Sequence, residues 1–202
     1  MGYLLLALIL GYLLGSFSSS YLFTRLVHKT DIRDFGSGNA GATNVGWMMG
    51  PWAAVLVFLL DLLKGVAAVY IGRWIGGEIA GLLAGIGAVL GHNYPVWLGF
   101  RGGKGAATTG GVAMALSPLL FLFLALIFVL TIVIFKYVGL GSIVMVILLP
   151  FLMLLMGRSP LEVAAGVVLC ALLLLKHHSN IRNMLDGTEV KIDLKTLSAA
   201  KD

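Results

Sequence analysis

Charge is scarce in this chain. Of 202 residues only 11% are charged, with 9 Asp and Glu against 14 Lys and Arg. A soluble domain carries about 25% charged residues, so a water-exposed globule, a disordered chain and a basic nucleic-acid-binding domain are excluded together. Cysteine is almost absent as well. Cys170 stands alone in an apolar run, which rules out an internal disulfide or a cysteine-rich metal centre. What fills the chain instead is 59% hydrophobic residues with a mean hydropathy of +1.01. The sequence is that of an integral membrane protein.

A spanning helix needs about 20 mostly apolar residues, and fewer where part of it is sheltered by protein. Apolar runs fall at Gly2 to Leu26, Trp52 to Ile71, Ile79 to Leu98, Ala106 to Ser117, Leu119 to Phe135, Leu140 to Met156 and Leu161 to Leu175. The expected fold is therefore an all-α, seven-span bundle whose fourth span is short and glycine-rich. A re-entrant fourth run would reduce the count to six. Seven spans put Arg25, Lys29, Arg33, Arg101, Lys104, Lys136, Lys176, Arg182, Lys191, Lys195 and Lys201 on one side. Only Arg73 and Arg158 fall on the other. This asymmetry places the amino terminus outside and the carboxyl terminus in the cytoplasm. The first run has no basic residue before it and basic residues just after it, so it reads as an anchored span and not a signal peptide. Residues 1–182 form one expected transmembrane domain, and 183–202 a short polar cytoplasmic tail. No internal repeat is evident.

In so apolar a chain the costly polar residues are the informative ones. They gather in three places on the expected cytoplasmic side. The first is Gly36, Ser37, Gly38 and Asn39, continuing to Thr43 and Asn44. Its glycines let backbone N–H groups converge on an anion, and the side chains add neutral donors. The pattern of Gly36, Gly38 and Gly41 imitates a dinucleotide fingerprint, but no strand precedes it. The second place runs from Gly91 and His92 to Arg101, Gly102, Gly103, Lys104 and Gly105, then Thr108. A basic pair among glycines, leading into a helix start, suits phosphate. It is not a Walker A loop, because Leu98 stands where that motif needs glycine. The third is Lys176, His177, His178, Asn180 and Arg182, where two histidines without a carboxylate or thiol cluster make a poor zinc site. Asp61 and Lys64, three apart in the second span, share a helix face and form a structural polar pair. Ser142 opens the sixth span; a lone membrane serine of this kind is usually satisfied by its own helix. Two anion-type loops and a His/Asn/Arg terminus on one side of a bundle suggest a site for more than one phosphate, and so little soluble chain points to lipid as the other part of the substrate.

Over nearly its whole length the chain resembles the bacterial membrane acyl-phosphate:glycerol-3-phosphate acyltransferases. The resemblance rests on Gly36 to Asn39 through Thr43-Asn44, Asp61 through Lys64-Gly65, and Gly91-His92 through Arg101 to Thr108. Gly141-Ser142 and His177 through Asn180 to Arg182 complete it. It implies seven spans with an outside amino terminus, a bacterial inner-membrane location, and acyl transfer from acyl phosphate to glycerol 3-phosphate. The products are lysophosphatidic acid and inorganic phosphate, with the bilayer as partner and no cofactor or metal. One departure stands out: Trp47 occupies a position where family members often carry arginine. The His-to-Asp spacing of the better-known soluble-domain acyltransferases is absent after all four histidines.

On this reading Lys104, His92 and Ser37 are the catalytic candidates. Gly36, Gly38, Asn39, Thr43, Asn44, Arg101, Gly102, Gly103, Gly105, Thr108, Ser142, His177, Asn180 and Arg182 are the substrate-binding ones. The general base is His92, His177 or a substrate phosphate, with the phosphate favoured because the sequence displays no carboxylate–histidine pair. An acyl-enzyme on Ser37 is disfavoured, since nothing in its loop resembles an activating base. The alternative function is a small transporter of a phosphorylated metabolite. One-sided polar loops and the lack of a repeat argue against it. A phosphatidyltransferase would need a carboxylate-rich metal site that the chain does not offer.

Overall fold

The computed structural model of the chain describes residues 1–192. Lys195 and Lys201 of the charge count, and the rest of the expected tail, lie outside the described residues. Gly2–Ser16 (α1) and Ser19–His28 (α2) form one broken apolar rod. The break falls at Phe17, whose backbone is extended, and Ser18 restarts the helix by accepting the Tyr21 N–H. A 3-10 turn at Ile32–Asp34 leads to the short helix Ala42–Met49 (α3).

Pro51–Asn93 (α4) leaves helical backbone at Gly76 and Gly77, the latter at φ 74. Its arms fold back on each other there: Gly72 faces Ala80 and Ala84, and Gly85 faces Val69. Arg73 braces the turn, its Nε donating to Glu78 at 3.0 Å. Ala106–Leu116 (α5) and Pro118–Phe135 (α6) meet at Ser117, which caps α6 through the Leu120 N–H. Val138–Leu155 (α7) and Pro160–Lys176 (α8) follow, α8 starting on a capping box between Ser159 and Glu162. His178–Leu185 (α9) turns off α8 by 57°.

Helices that share no water between them associate by close packing, which small residues permit. Gly11 and Gly15 of α1 lie against the backbone of Ala84 and Ala88, and Gly111 of α5 against that of Leu62. The largest buried cluster joins α4, α5, α6, α7 and α8 through Val89, Val112, Leu124, Val146 and Leu169.

By length and composition, four stretches among the described residues can cross a membrane, and a fifth if α8 and α9 are taken as one. The difference from the expected seven runs has physical causes. The α4 hairpin counts once, α5 has 11 residues, and α8 has 17. The shortness of α5 is compensated at its carboxyl end. Arg73 donates to the Ala115 carbonyl and Arg158 to that of Leu116, each at 2.8 Å. Cations there satisfy end carbonyls and oppose the helix dipole.

Candidate active site

At the opposite end of α5 the chain encloses a cavity of about 520 Å³. Two helices aim their amino termini at it: Gly41, Ala42 and Thr43 of α3, and Gly105, Ala106 and Ala107 of α5, are in its wall. Such ends present unpaired N–H groups and a positive dipole to an anion. The α3 start is held by Asn44, which is fully buried. Its amide donates to the carbonyls of Ile32, Phe35 and Asn39, and its oxygen accepts the Ser37 N–H at 3.1 Å. Asn44 thus shapes the loop from behind, while Ser37, Asn39 and Thr43 face the cavity. Gly36 and Gly38 lie on the exposed rim.

The second loop is folded back onto the end of α4. The N–H groups of Gly102 and Gly103 donate to the carbonyls of Asn93 and His92. At Gly103 a side chain would strike the His92 ring and the Ala40 carbonyl, so only glycine fits. Gly105 caps α5 at φ 83, a conformation that also favours glycine. The result is a Lys104 side chain delivered into the cavity. Burial holds its ammonium below the usual lysine range, opposed by the nearby carboxylate of Glu189. Thr108, one turn into α5, is fully buried and outside the cavity wall.

Ser142 and His177 bring α7 and the end of α8 to the same space. The Ser142 hydroxyl donates to its own helix, at Val138, so its lone pairs remain for a ligand. His177 sits just past α8, beyond the apolar span. Its Nδ1 lies 2.9 Å from the Leu173 carbonyl, which can only accept, so the proton is on Nδ1 and the Nε2 lone pair is free. Burial pushes this imidazole down to about 4, with the ammoniums of Lys104 and Lys176 adding to the push. Asn180, one turn into α9, accepts from Lys104 and donates to Glu189.

The α4 hairpin brings His92 onto the expected Asp61–Lys64 pair, a meeting the sequence did not display. Asp61 and Lys64 pair at 2.7 Å on one face, both buried. Lys64 also reaches His92 Nδ1 at 2.9 Å and the Phe17 carbonyl at 2.9 Å. Ser19 donates to Asp61 at 3.0 Å. A charged donor on Nδ1 fixes the His92 proton on Nε2. His92 Nδ1 is 3.6 Å from Asp61, and Lys64, donating to both, bridges them, so the Asp61 carboxylate acts on His92 through the lysine. Both Asp61 and His92 line the cavity. The two histidines therefore differ in the nitrogen they leave free: His177 offers an acceptor, His92 a donor.

Arg101 and Arg182 are not in the cavity wall. Arg101 is exposed, and Arg182 projects beside Asp186 at 3.6 Å. Trp47, Glu189 and Ile192 are in the wall, and sequence reasoning gave the last two no role. Among the described residues no three His, Cys, Asp or Glu are grouped to ligate a metal. Away from the polar end the cavity becomes apolar, walled by Phe58, Phe121, Leu124, Phe128 and Met145. Phe58 and Val129 belong to this wall and are also exposed on the lipid-facing surface.

A membrane-embedded chamber with an anion-binding end and an apolar groove is the site of an enzyme that handles lipids. The comparisons with known proteins say which one. The family pattern described as Glycerol-3-phosphate acyltransferase matches residues 5–187, and the chain belongs to that family of membrane acyltransferases. A glycerol-3-phosphate acyltransferase of Thermoanaerobacter sp. (strain X514) is 46% identical, over 96% of this chain and 98% of its own. One of Staphylococcus aureus (strain JH9) is 41% identical, over 94% and 98%. Among solved structures the chain resembles PlsY (YgiH), an integral membrane glycerol 3-phosphate acyltransferase, in its glycerol 3-phosphate form. Identity is 36%, the TM-score 0.91, and coverage 98% of this chain and 99% of that one. The lysophosphatidic acid form gives a TM-score of 0.88 at the same identity, over 96% and 97%.

Proposed function

We propose that the protein transfers a fatty acyl group from an acyl phosphate to the sn-1 hydroxyl of glycerol 3-phosphate at the cytoplasmic face of the bacterial inner membrane. Inorganic phosphate and lysophosphatidic acid are released. The observation that carries this reading is the single cavity joining Ser37, Lys104, Ser142, His177 and Asn180 to an apolar groove bordered by lipid-facing Phe58 and Val129.

The acyl chain lies in the groove, and its phosphate rests against the amino termini of α3 and α5, with Ser37 and Lys104 as side-chain donors. Ser142, His177 and Asn180 hold glycerol 3-phosphate. Arg101 and Arg182, outside the wall, attract anions from the cytoplasm. An acyl phosphate is already an activated mixed anhydride, so the enzyme supplies positioning and charge stabilisation. The glycerol oxygen attacks the acyl carbon, the carbon–oxygen bond to phosphate breaks, and phosphate leaves with the electron pair. Lys104 and the Nε2–H of His92 face the charge that develops.

The hydroxyl proton goes to a phosphate oxygen. A phosphate monoester has a second pKa near 6, well above the value of about 4 to which burial pushes His177. His177 is thus the weaker base, and its free Nε2 orients the hydroxyl. Activity then falls on the acid side as the acceptor phosphate is protonated, near its own second pKa. A phosphonate analogue of the acceptor, with a higher second pKa, moves that limb upward. A limb that stays fixed with the analogue and moves with His177→Gln would reassign the base to His177. A single-turnover quench before acceptor addition is expected to find no acyl group on Ser37.

The same reading gives seven spans, counting both arms of α4 and the short α5, with the amino terminus outside. Arg73 and Arg158 meeting at the far end of α5 support it, since the cavity and most cations lie at the other. Residues 1–182 form one catalytic domain, and the start of the 183–202 segment completes its rim.

A further inference from the structure

The segment after α9 is part of the site. Asp186 and Gly187 end the helix, Gly187 at φ 70, and the chain turns back. The N–H groups of Thr188 and Glu189 donate to the Asn183 carbonyl at 2.8 and 3.1 Å. The strap then crosses to the α6–α7 turn, where the Ile192 N–H donates to the Lys136 carbonyl at 2.8 Å and Lys191 sits over the Tyr137 ring. Both ends are pinned by backbone contacts, and Glu189, Val190 and Ile192 between them face the cavity.

Glu189 is a carboxylate at the rim of a site built for anions, a placement that costs substrate affinity unless it does something else. Its oxygen takes one amide hydrogen of Asn180, and this fixes which way the amide points: nitrogen to Glu189, oxygen to Lys104. The amide cannot reverse without setting its oxygen against a carboxylate and its NH₂ against an ammonium. A chain of three side chains, from strap through α9 to the α5 loop, therefore sets the position of the Lys104 nitrogen.

We propose that Glu189 is a positioning residue of the acyl transfer, acting through Asn180 to hold Lys104 in place and charged at the phosphate end of the cavity. The inference rests on the proposed role of Lys104. The groups facing Lys104 are Glu189 from the strap, Lys176 and His177 from the end of α8, and His92 and Asp61 from α4. Glu189 supplies attraction on the strap side, against repulsion from Lys176 and the burial of the ammonium.

The test compares full-length wild type, Glu189→Gln and Glu189→Asp in detergent, each shown monodisperse, with acyl phosphate as donor. Glutamine is close in size and removes the charge. The expected result is at least a ten-fold loss of kcat/KM for Glu189→Gln, with the alkaline limb of the pH profile moved to lower pH. Glu189→Asp is expected to recover the position of that limb. In a Lys104→Arg background, where the cation does not titrate, Glu189→Gln should leave the alkaline limb unmoved. Wild-type kinetics and an unmoved limb in Glu189→Gln would overturn the proposal, as would a shift that persists in the Lys104→Arg background. A wild type without activity toward acyl phosphate would instead defeat the donor reading, before any variant is compared.

Discussion

At the residue scale the site is governed by which atom each neighbour leaves free. Leu173 takes the Nδ1 proton of His177 and leaves an acceptor, while Lys64 occupies Nδ1 of His92 and leaves a donor. Neither assignment can be made from a histidine in a sequence. Lys104 is the lysine or arginine that lines the cavity among the described residues, and in the proposed mechanism most of the electrostatic work falls to it. Lys104→Ala should lower kcat/KM by a factor of about 10² to 10³, about 3–4 kcal/mol of barrier, the typical cost of one transition-state donor. Because its pKa is lowered, the charge is present at low pH and lost as pH rises through a value below that of an ordinary lysine. Lys104→Arg should accordingly keep a cation on the alkaline side, and pH profiles of the two variants check this. Trp47 is the second informative residue, an aromatic in the cavity wall at the position where the family resemblance leads one to expect arginine. Trp47→Arg is expected to lower the KM for glycerol 3-phosphate several-fold. An unchanged KM would mean that Lys104 and the two helix ends already saturate phosphate binding.

At the scale of elements, the apolar runs were legible because lipid selects for uninterrupted hydrophobicity. The second and third runs correspond to the two arms of α4, and the fourth to α5. The helix Ala42–Met49 was not legible, since glycines bracket it and its eight residues carry no apolar periodicity that distinguishes it from a loop. Within the site, Ser37, Lys104, His177 and Asn180 announced themselves as costly polar residues in an apolar chain. Glu189 did not, because it lies in a polar segment where an acid is unremarkable and only the return of the strap brings it to Asn180. Asp61 and His92 are 31 positions apart, and their approach depends on the Gly76–Gly77 reversal. Arg73 and Arg158 read as boundary charges, yet they close the last turn of α5. The buried Asp61–Lys64 pair ties α1 and α2 to α4 and supports His92. Removing one partner of such a pair typically costs about 3–5 kcal/mol, because the other is left uncompensated. Asp61→Asn should therefore lower the melting temperature in detergent markedly. The double replacement Asp61→Leu with Lys64→Met should recover most of the stability but not the activity, since His92 loses its partner.

For the whole molecule, the proposed topology puts the two ends of one bundle in different compartments. The cavity end holds Lys104, Lys136, Lys176 and the strap, and the far end holds the α4 turn, Arg158 and the junction of α5 with α6. In a chain with Cys170→Ser, single cysteines at Glu78 or Gly157 should react with an impermeant reagent added outside intact cells. Cysteines at Arg101 or Asp186 should react only after permeabilisation. The opposite pattern would invert the bundle, and labelling of Glu78 from the cytoplasm alone would remove the hairpin as two spans.

The most direct test of the central claim is phosphate release by the purified protein given glycerol 3-phosphate and an acyl phosphate, with acyl coenzyme A and acyl carrier protein donors run in parallel. The account predicts phosphate release that depends on the acceptor, matched one for one by lysophosphatidic acid, with acyl phosphate alone. Equal turnover with a thioester donor, or phosphate release that does not need the acceptor, would contradict it.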